Sequence, residues 1–569
     1  MKVLFSATHF GFLRNFQSTL RLLAERGHTI HLLAERREAL DGQVMVDALV
    51  RDFPGVTFEV MPFARHRLWY ALGAALRASL DYWRYLDSRY VGAERLRARA
   101  AEQAPAFARW LVTLPVLGSE RGVLVLSALV RRLERVLPPS PEVVEIFKQQ
   151  RPDLLLLTPL LYFRSHQVDH VRAAREAGIK TVLCVGSWDH LTTKGLIHEV
   201  PDRVVVWNFA QQHEAKELHG VSPDRVVVTG AQAYDHWFET RPSMTREQFC
   251  DQVGLDPREP ILLYLCSSPF IAPYEVGFVR EWIAAIRGSG DERLRRAGLL
   301  IRPHPQNAKQ WQGVDLSDQP NVALWPKTGV NPIGGSARAD YYHSMFFSRG
   351  VVGVNTSGQI ESGIVGRPVY AVTTGEFAGT QEGTLHFQHL KNADGGLLHL
   401  ASTFDVHVAQ LSELLAGGAG EDEKARRFVE GFVRPHGLDV PATPRLVDSL
   451  ESFAAIPAGA PHAAGAVDRL LRTLLVPLAV LASALTMERA KFRSMMLHLT
   501  RPTRLRIRGL VTRTKYTGRF IVRAALHSVR VIGALIRRAL FPVRWTWRRV
   551  KFFAALAMSR AAGSEGESN

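Results

Sequence analysis

Small polar residues that follow an apolar run in the second half of the chain carry the first chemical signal. The run 351–354 is followed by 355–358 (Asn-Thr-Ser-Gly), where a helix should begin. A helix start presents free backbone N–H groups and a positive dipole end, and with two hydroxyls it favours a bound phosphate. Glu361, about one turn further on, is better placed to accept hydrogen bonds from sugar or ribose hydroxyls. A well-capped helix without a ligand is the alternative. The candidate ligand contacts here are Thr356, Ser357, Gly358 and Glu361.

Two further apolar runs of the same half end in polar residues. One ends before Ser267 and Ser268, and the next ends before Arg302 and His304. Strands of a parallel sheet end at a common edge, so hydroxyls, a guanidinium and an imidazole should meet the 355–361 segment there. This set predicts a diphosphate site. His304 stands between two prolines and could instead only stiffen a turn.

The first half of the chain offers two candidates for acid–base chemistry. His9 follows the first apolar run, and Asp189 follows a later one. Both should lie at the ligand-binding edge of a sheet, where either could remove a proton from an acceptor hydroxyl. A surface-loop histidine is the alternative for His9. A cluster of acidic metal ligands is absent from the sequence pattern, so we expect neither a metal nor another cofactor.

The elements that position these residues alternate between strands and helices. Fully apolar runs indicate buried parallel strands, and the segments between them have helical periodicity. The sequence therefore predicts an α/β fold with two doubly wound domains. The fingerprint GxGxxG is absent after the first strand. In the second half we expect, among others, a helix at 341–349.

A resemblance to a known superfamily appears at the junction of the halves. The segment 219–230 (His-Gly-Val-Ser-Pro-Asp-Arg-Val-Val-Val-Thr-Gly), followed by Asp235 and Phe238, resembles the interdomain crossing of GT-B glycosyltransferases. Arg-Pro-His-Pro at 302–305 and Ser-Gly-x-x-Glu at 357–361 resemble elements of non-hydrolysing sugar-nucleotide epimerases, CDP-glycerol glycerophosphotransferases and capsule polysaccharide transferases. The resemblance implies two Rossmann-like domains facing a cleft, with the acceptor in the first and the donor nucleotide in the second.

The chain departs from these families in two places. Thr-His-Phe-Gly replaces a glycine-rich loop at 8–11, and Glu361 is followed eight residues later by Val369 instead of a second glutamate. The second departure favours an inverting mechanism over a retaining one.

The expected domain ranges follow from these patterns. Residues 1–235 form the acceptor domain, with a helical insertion at about 65–137, and residues 236–440 form the donor domain. A Pro/Ala/Gly-rich linker at 441–465 leads to a basic helical tail at 466–569.

The basic charge of the chain belongs to its tail. The net charge is +17, but residues 489–560 contain 19 Lys and Arg and no Asp or Glu. In a helix at 519–541, arginines fall on one face and apolar residues on the other, which favours an anionic membrane surface. The uncharged run 473–487 would span only about 22 Å, too little to cross a bilayer. We therefore expect residues 466–560 to bind the membrane without spanning it.

The sequence thus predicts a glycosyltransferase that moves a sugar, or a phosphopolyol, from a nucleotide-activated donor to an envelope polysaccharide or a lipid-linked acceptor. An epimerase acting on the free sugar nucleotide is the second interpretation. Binding of nucleic acid is a third and weaker one, because it rests on the basic tail alone. The three cysteines lack metal spacing and the chain starts without a signal-peptide layout, which favours the cytoplasm. Together with the basic tail, this predicts a protein bound peripherally to the inner face of the plasma membrane.

Overall fold

The computed structural model describes residues 1–36, 42–61, 68–417, 422–457, 459, 461 and 465–486. The amphipathic helix predicted at 519–541 and the rest of the tail from residue 487 lie outside the described residues.

The first domain is built on a seven-stranded parallel sheet in the order β3-β2-β1-β4-β5-β6-β7. The order reverses between β1 and β4, as in doubly wound folds, because the chain runs outward twice from the first strand. Most of its strands are buried throughout their length, which explains their continuous apolar sequence. The strands are β1 Lys2–Ala7, β2 Thr29–Ala34, β3 Val56–Val60, β4 Leu154–Thr158, β5 Lys180–Cys184, β6 Arg203–Val206 and β7 Val226–Val228.

Eleven helices belong to this half of the described chain. They are α1 Gln17–Glu25, α2 Gly42–Asp52, α3 Leu68–Trp83, α4 Glu94–Gln103, α5 Ala106–Leu111, α6 Glu120–Arg135, α7 Pro141–Gln150, α8 Gln167–Ala177, α9 His190–Thr193, α10 Phe209–His219 and α11 Asp235–Glu239. Helices α3 to α6 form the predicted insertion, and α3 packs on α6 around a core of its own. Short 3₁₀ helices complete this half at Phe10–Asn15, Arg84–Leu86, Ser88–Tyr90, Pro223–Arg225 and Gln232–Tyr234.

The second domain repeats the design with six parallel strands in the order β10-β9-β8-β11-β12-β13. They are β8 Ile261–Leu265, β9 Gly298–Arg302, β10 Val322–Leu324, β11 Gly350–Gly353, β12 Val369–Val372 and β13 Leu398–Ala401. The switch of direction falls between β8 and β11, so the loops after these two strands border the crevice. The prediction of an α/β fold with two Rossmann-like domains is confirmed.

The helices of the second half follow in chain order. They are α12 Arg246–Val253, α13 Val276–Arg287, α14 Glu292–Arg296, α15 Gly335–Phe346, α16 Gly358–Ile364, α17 Phe387–Asn392, α18 Phe404–Ala416, α19 Glu423–Phe428, α20 Ala442–Ala455 and α21 Ala466–Thr486. Helix α15 starts six residues earlier than the predicted 341–349. Further short turns lie at Ala308–Trp311 and Ala393–Gly395, with a π-helix at Val429–Val433.

Helix α20 occupies much of the range predicted as a linker. Its Leu446, Val447 and Leu450 are buried in the core of the first domain, and Ser18 Oγ lies 2.9 Å from Thr443 Oγ1. The Pro/Ala/Gly composition of 441–465 conceals this apolar stripe, whose spacing of one and four residues suits one face of a helix. The chain therefore returns from the second domain to pack on the first. The domain boundaries at 235 and 440 stay predictions.

Helix α21 is longer than the uncharged run seen in the sequence. It has 21 residues and extends over about 31 Å. By length and composition alone, it is the one helix within the described ranges that could cross a membrane. The added residues include Asp468, Arg469 and Arg472, so the uncharged run keeps its length, and binding of the membrane without spanning it stays a prediction.

A buried carboxylate fixes the return of the chain. Asp235 Oδ1 accepts hydrogen bonds from Arg434 Nη2 at 2.9 Å and from the Ala442 N–H at 3.0 Å, and Oδ2 accepts one from the Thr443 N–H at 2.6 Å. Asp235→Ala should lower the midpoint of thermal denaturation strongly, because it leaves Arg434 buried without its counter-charge, at a cost of about 3–5 kcal/mol. Differential scanning calorimetry measures this.

Asp256→Ala is the matched control, because its pair with Arg258 is exposed to solvent. Similar losses of midpoint in the two variants would show that Asp235 does not hold the fold in this way.

Candidate active site

A cavity of about 560 Å³ separates the carboxyl ends of the two sheets and is lined by both domains. Eight of the ten predicted site residues line it: His9, Asp189, Ser268, Arg302, His304, Thr356, Ser357 and Glu361. Ser267 and Gly358 lie directly beside lining residues but not in the wall. The sequence-based expectation that these strand ends share one crevice therefore matches the geometry.

The loops that border the cavity in the second domain are tied to one another. Asn307 Nδ2 donates to the carbonyls of Ser267 and Ala272, at 3.1 and 2.8 Å. Asn355 Nδ2 donates to the Thr380 carbonyl at 2.8 Å. These buried amides tie the loop after β9 to the loop after β8, and the loop after β11 to the loop after β12, so hydrogen bonds within the protein hold the walls of the cavity.

Ser267 and Gly358 support the site from behind. The Ser267 N–H donates to Glu275 Oε2 at 2.8 Å, and its side chain is fully buried. A Cβ at Gly358 would lie 2.6 Å from Tyr341 Oη and 2.8 Å from Leu265 Cδ1, so the start of α16 approaches Tyr341 as only glycine allows. The structure thus gives both residues a packing role, and their contact with the donor stays a prediction.

Arg302 lines the cavity, but its charge is already compensated. Its Nη2 lies 2.8 Å from Asp340 Oδ2, and its Nη1 donates to Ser344 Oγ at 2.7 Å. The guanidinium also lies over the Tyr341 ring, 5.0 Å from its centroid. An ion pair this well satisfied has little positive charge left for a phosphate, so Arg302 is better explained as the support of Tyr341.

His304 presents a neutral imidazole to the cavity. Burial and the charge of Arg14 lower its pKa to about 4. Its Nδ1 accepts a hydrogen bond from the Gln306 N–H at 3.1 Å, so the proton of the neutral ring resides on Nε2. His304 is therefore a hydrogen-bond donor at neutral pH and not the cation that the sequence suggests.

Arg14 is the cation that sequence reasoning missed. It belongs to the 3₁₀ helix Phe10–Asn15 after β1, is exposed, and has no ion pair with any residue of the described ranges. Its charge lowers the pKa values of His304 and Glu361, although both belong to the other sheet. Arg14 lines the cavity together with these groups, and so do Arg99 and Arg338, which likewise have no ion pair among the described residues. These cations are candidate partners for a diphosphate. The position of Arg14 one short turn beyond the first strand is the signal that could have identified it.

Glu361 is poised to change its protonation state near neutral pH. Burial raises its pKa to about 7, against the opposing effects of Arg14 and of a hydrogen bond from Tyr341. That hydrogen bond joins Tyr341 Oη to Glu361 Oε2 at 2.7 Å. A carboxyl of this kind can accept from sugar or ribose hydroxyls, and it can also donate when protonated.

The two acid–base candidates of the first domain differ in character. Burial, Arg36 and Arg14 lower the pKa of His9 to about 4, so the ring is neutral and able to accept a proton. Burial alone would raise the pKa of Asp189, but Lys194 and other cationic or hydrogen-bonding neighbours lower it well below its usual range. Asp189 also accepts hydrogen bonds from Ser187 Oγ and Thr193 Oγ1, at 2.5 and 2.9 Å. Both pKa values lie below neutral pH, and that of Asp189 is the lower, so His9 is the stronger base of the two.

The two domains also meet beside the site. The ring of Trp188 lies 5.0 Å from that of His386, whose Nε2 is 3.2 Å from Asn355 Nδ2.

No group of three or more His, Cys, Asp or Glu among the described residues is arranged to hold a metal.

Comparisons with known proteins gave matches among solved structures only. No family model matches the sequence, and no curated protein is similar to it. Among the matching solved structures are three that each have a TM-score of 0.44. The UDP-GlcNAc 2-epimerase of Methanocaldococcus jannaschii with UDP-GlcNAc and UDP and that of Neisseria meningitidis bound to UDP-GlcNAc are each 11% identical, and each match covers 79% of this chain and 100% of that chain. The glycosyltransferase of Rickettsia africae is 10% identical, and the match covers 80% of this chain and 99% of that chain. At these values the likeness carries no conclusion about the activity or the family of this chain.

His304→Ala and Ser357→Ala should each weaken binding of a nucleotide-activated donor by about ten- to a hundredfold, because each removes a hydrogen bond to a charged diphosphate. Isothermal titration calorimetry measures the effect. His213→Ala and Ser317→Ala, at exposed positions outside the cavity, are the controls and should keep full affinity. Unchanged affinity in both cavity variants would remove the proposed donor site.

Tyr341→Phe should raise the pKa of Glu361 above about 7, because the lost hydroxyl stabilises the ionised carboxylate. At pH 7 the variant would then hold Glu361 mostly protonated. A ¹³C NMR titration of glutamate-labelled protein, with Glu361→Gln to assign the signal, follows the midpoint. A midpoint that stays in place or moves to lower pH would contradict the role given to Tyr341.

Proposed function

We propose that the protein is a GT-B-type transferase that moves a sugar, or a phosphopolyol, from a nucleotide-activated donor to an envelope polysaccharide or a lipid-linked acceptor. One observation carries the proposal: Arg14 of the first domain, which has no ion pair within the described ranges, lines a single cavity together with neutral hydrogen-bonding groups of the second domain. A dianionic diphosphate supplies the charge that this arrangement lacks.

The donor would bind mainly to the second domain. His304 Nε2 and the hydroxyls of Ser268, Thr356 and Ser357 would contact the phosphates, and Glu361 would hold hydroxyls of the ribose or sugar. Arg14 would stabilise the negative charge that grows on the departing nucleotide, which is a diphosphate in sugar transfer and a monophosphate in phosphopolyol transfer; the effect is strongest in a site with little water.

The acceptor would lie on the side of the first domain. His9 would take the proton of the acceptor hydroxyl. At the same time the oxygen of that hydroxyl would bond to the transferred group, and the bond between the transferred group and the nucleotide phosphate would break. Asp189 would remain ionised and orient the surrounding loop through Ser187 and Thr193. No metal ion or other cofactor takes part in this scheme, so turnover should persist after metal ions are removed with EDTA.

The setting we propose is the cytoplasmic face of the plasma membrane, with the protein bound peripherally through residues 466–560. Support comes from the sequence, in which residues 489–560 contain 19 Lys and Arg and no acidic residue. Such a location would give access to lipid-linked and envelope acceptors.

The test is nucleotide release from a panel of nucleotide sugars and nucleotide polyols, with and without membrane extracts as the source of acceptor. Release that requires acceptor, with label transferred to the glycan or lipid fraction, is the expected result. Conversion of the free sugar nucleotide to its epimer without acceptor would instead establish an epimerase.

His9→Ala should lower turnover by a factor of about 10²–10⁴ and leave donor affinity nearly unchanged, since a base acts on the acceptor proton. Single-turnover kinetics with saturating donor would measure it, alongside calorimetry of donor binding. Asp189→Asn is the comparison, and a loss of rate confined to that variant would move the base to Asp189. Full rates in both variants would contradict the mechanism.

A further inference from the structure

Helix α21 has apolar side chains on two sides. One side packs on the insertion through Leu475 and Ala479, which are buried in the same cluster as Leu72 and Leu76 of α3. Only 17% of its most apolar stretch is buried. The other side exposes a second stripe at spacings of three and four residues: Val467, Leu470, Leu474, Leu478 and Leu481. A helix with apolar side chains on both sides indicates that the exposed side also contacts an apolar partner, such as a protein surface or a membrane.

Charged residues are confined to the first two turns of α21. Asp468 pairs with Arg132 of α6 at 3.0 Å, and Arg472 Nε donates to the Val136 carbonyl at 2.6 Å. The helix is therefore anchored to the body at its polar end, and beyond Thr473 it presents only apolar side chains and one serine up to Ser483. Helix α6 adds exposed apolar residues at Leu124, Val125 and Leu129.

A cationic cavity of about 710 Å³ lies at this polar end. Eight cationic residues line it: Arg89, Arg131, Arg135, Arg172, Arg175, Lys216, Arg225 and Arg472. The acidic lining residues are Glu176, Glu199, Glu217 and Asp468. Arg131 and Arg135 have no ion pair among the described residues, and burial together with the charge of Arg135 lowers the pKa of Arg131. An anion in the cavity would relieve this repulsion.

We propose that α21 and this cavity form a surface that rests on an anionic lipid bilayer; this deepens the membrane binding proposed above and does not use the basic segment 489–560. The exposed stripe of α21 enters the acyl region, and Arg131 and Arg135 receive the phosphate of a lipid headgroup. The arrangement of residues along α21 supports this proposal. Cationic groups at its start are followed by apolar side chains, just as lipid headgroups at a membrane surface are followed by acyl chains.

Two other covers fit the charges less well. The chain segment 489–560 has no acidic residue that could neutralise Arg131 and Arg135. A second copy of the chain would bring the same arginines to the interface, and like charges facing each other are unfavourable. Anionic lipid supplies both the negative charge and the apolar phase.

A fluorescent label at one position tests the proposal in the full chain. Cys184, Cys250 and Cys266 are all buried, so a polarity-sensitive NBD dye should react with a new surface cysteine selectively. Leu478→Cys and Val406→Cys form a matched pair, because the two side chains are 44% and 45% exposed. With vesicles of phosphatidylglycerol, only the dye at position 478 should shift to the blue and gain intensity.

The cavity is tested in the same labelled chain. Arg131→Gln with Arg135→Gln should raise the lipid concentration needed for half of the blue shift by about tenfold or more. Lys309→Gln with Lys327→Gln removes the same charge from exposed positions of the second domain and should change it little.

Each other outcome overturns the proposal. A chain that floats with vesicles while the dye at 478 stays unshifted would show that the tail alone meets the lipid. A blue shift before vesicles are added would show a protein cover, and its dependence on protein concentration would distinguish a second copy from the chain itself. Equal effects of the two charge variants would remove the headgroup role of the cavity. None of these readouts depends on the transferase proposal.

Discussion

The hydrogen bonds of the Asp235 carboxylate decide how the two halves of this chain meet. One side chain, 7% exposed, receives the Arg434 guanidinium and the first backbone N–H groups of α20. It thereby ties the crossing into the second domain to the return into the first. Arg434 lies in turn over the Phe238 ring, 3.5 Å from its centroid. A buried charge set of this kind specifies one arrangement, because any other would leave ions unpaired in an apolar interior.

The cavity depends on that arrangement because neither sheet completes the site alone. The second domain supplies groups that are neutral at pH 7 or titrate close to it, such as His304 and Glu361. The first supplies Arg14, a cation without an ion pair among the described residues. A site that joins Arg14, Arg99 and Arg338, none of which has an ion pair among the described residues, to several neutral donors favours a ligand with concentrated negative charge and many hydroxyls.

Much of this could be predicted from the sequence, and the residues show why. Continuous apolar runs identify buried parallel strands, and polar residues directly after them, such as Ser268, His304 and Glu361, must share one sheet edge. Arg302 could not be assigned, because its partners Asp340 and Ser344 are distant in sequence and become neighbours only through α15. That helix begins with a Gly-Gly-Ser segment whose composition resembles a loop. Helix α20 was not predicted for the same reason, because the Pro- and Ala-rich residues that flank it resemble a linker.

The most direct test of the central claim is a crystal structure of the protein soaked with a nucleoside diphosphate. We expect the diphosphate between Arg14 and the segment Thr356–Ser357, with His304 Nε2 within hydrogen-bond distance of a phosphate oxygen and Glu361 beside the ribose. Well-ordered density for the nucleotide elsewhere, for example among the arginines at the start of α21, with an empty cleft between the sheets, would contradict the account.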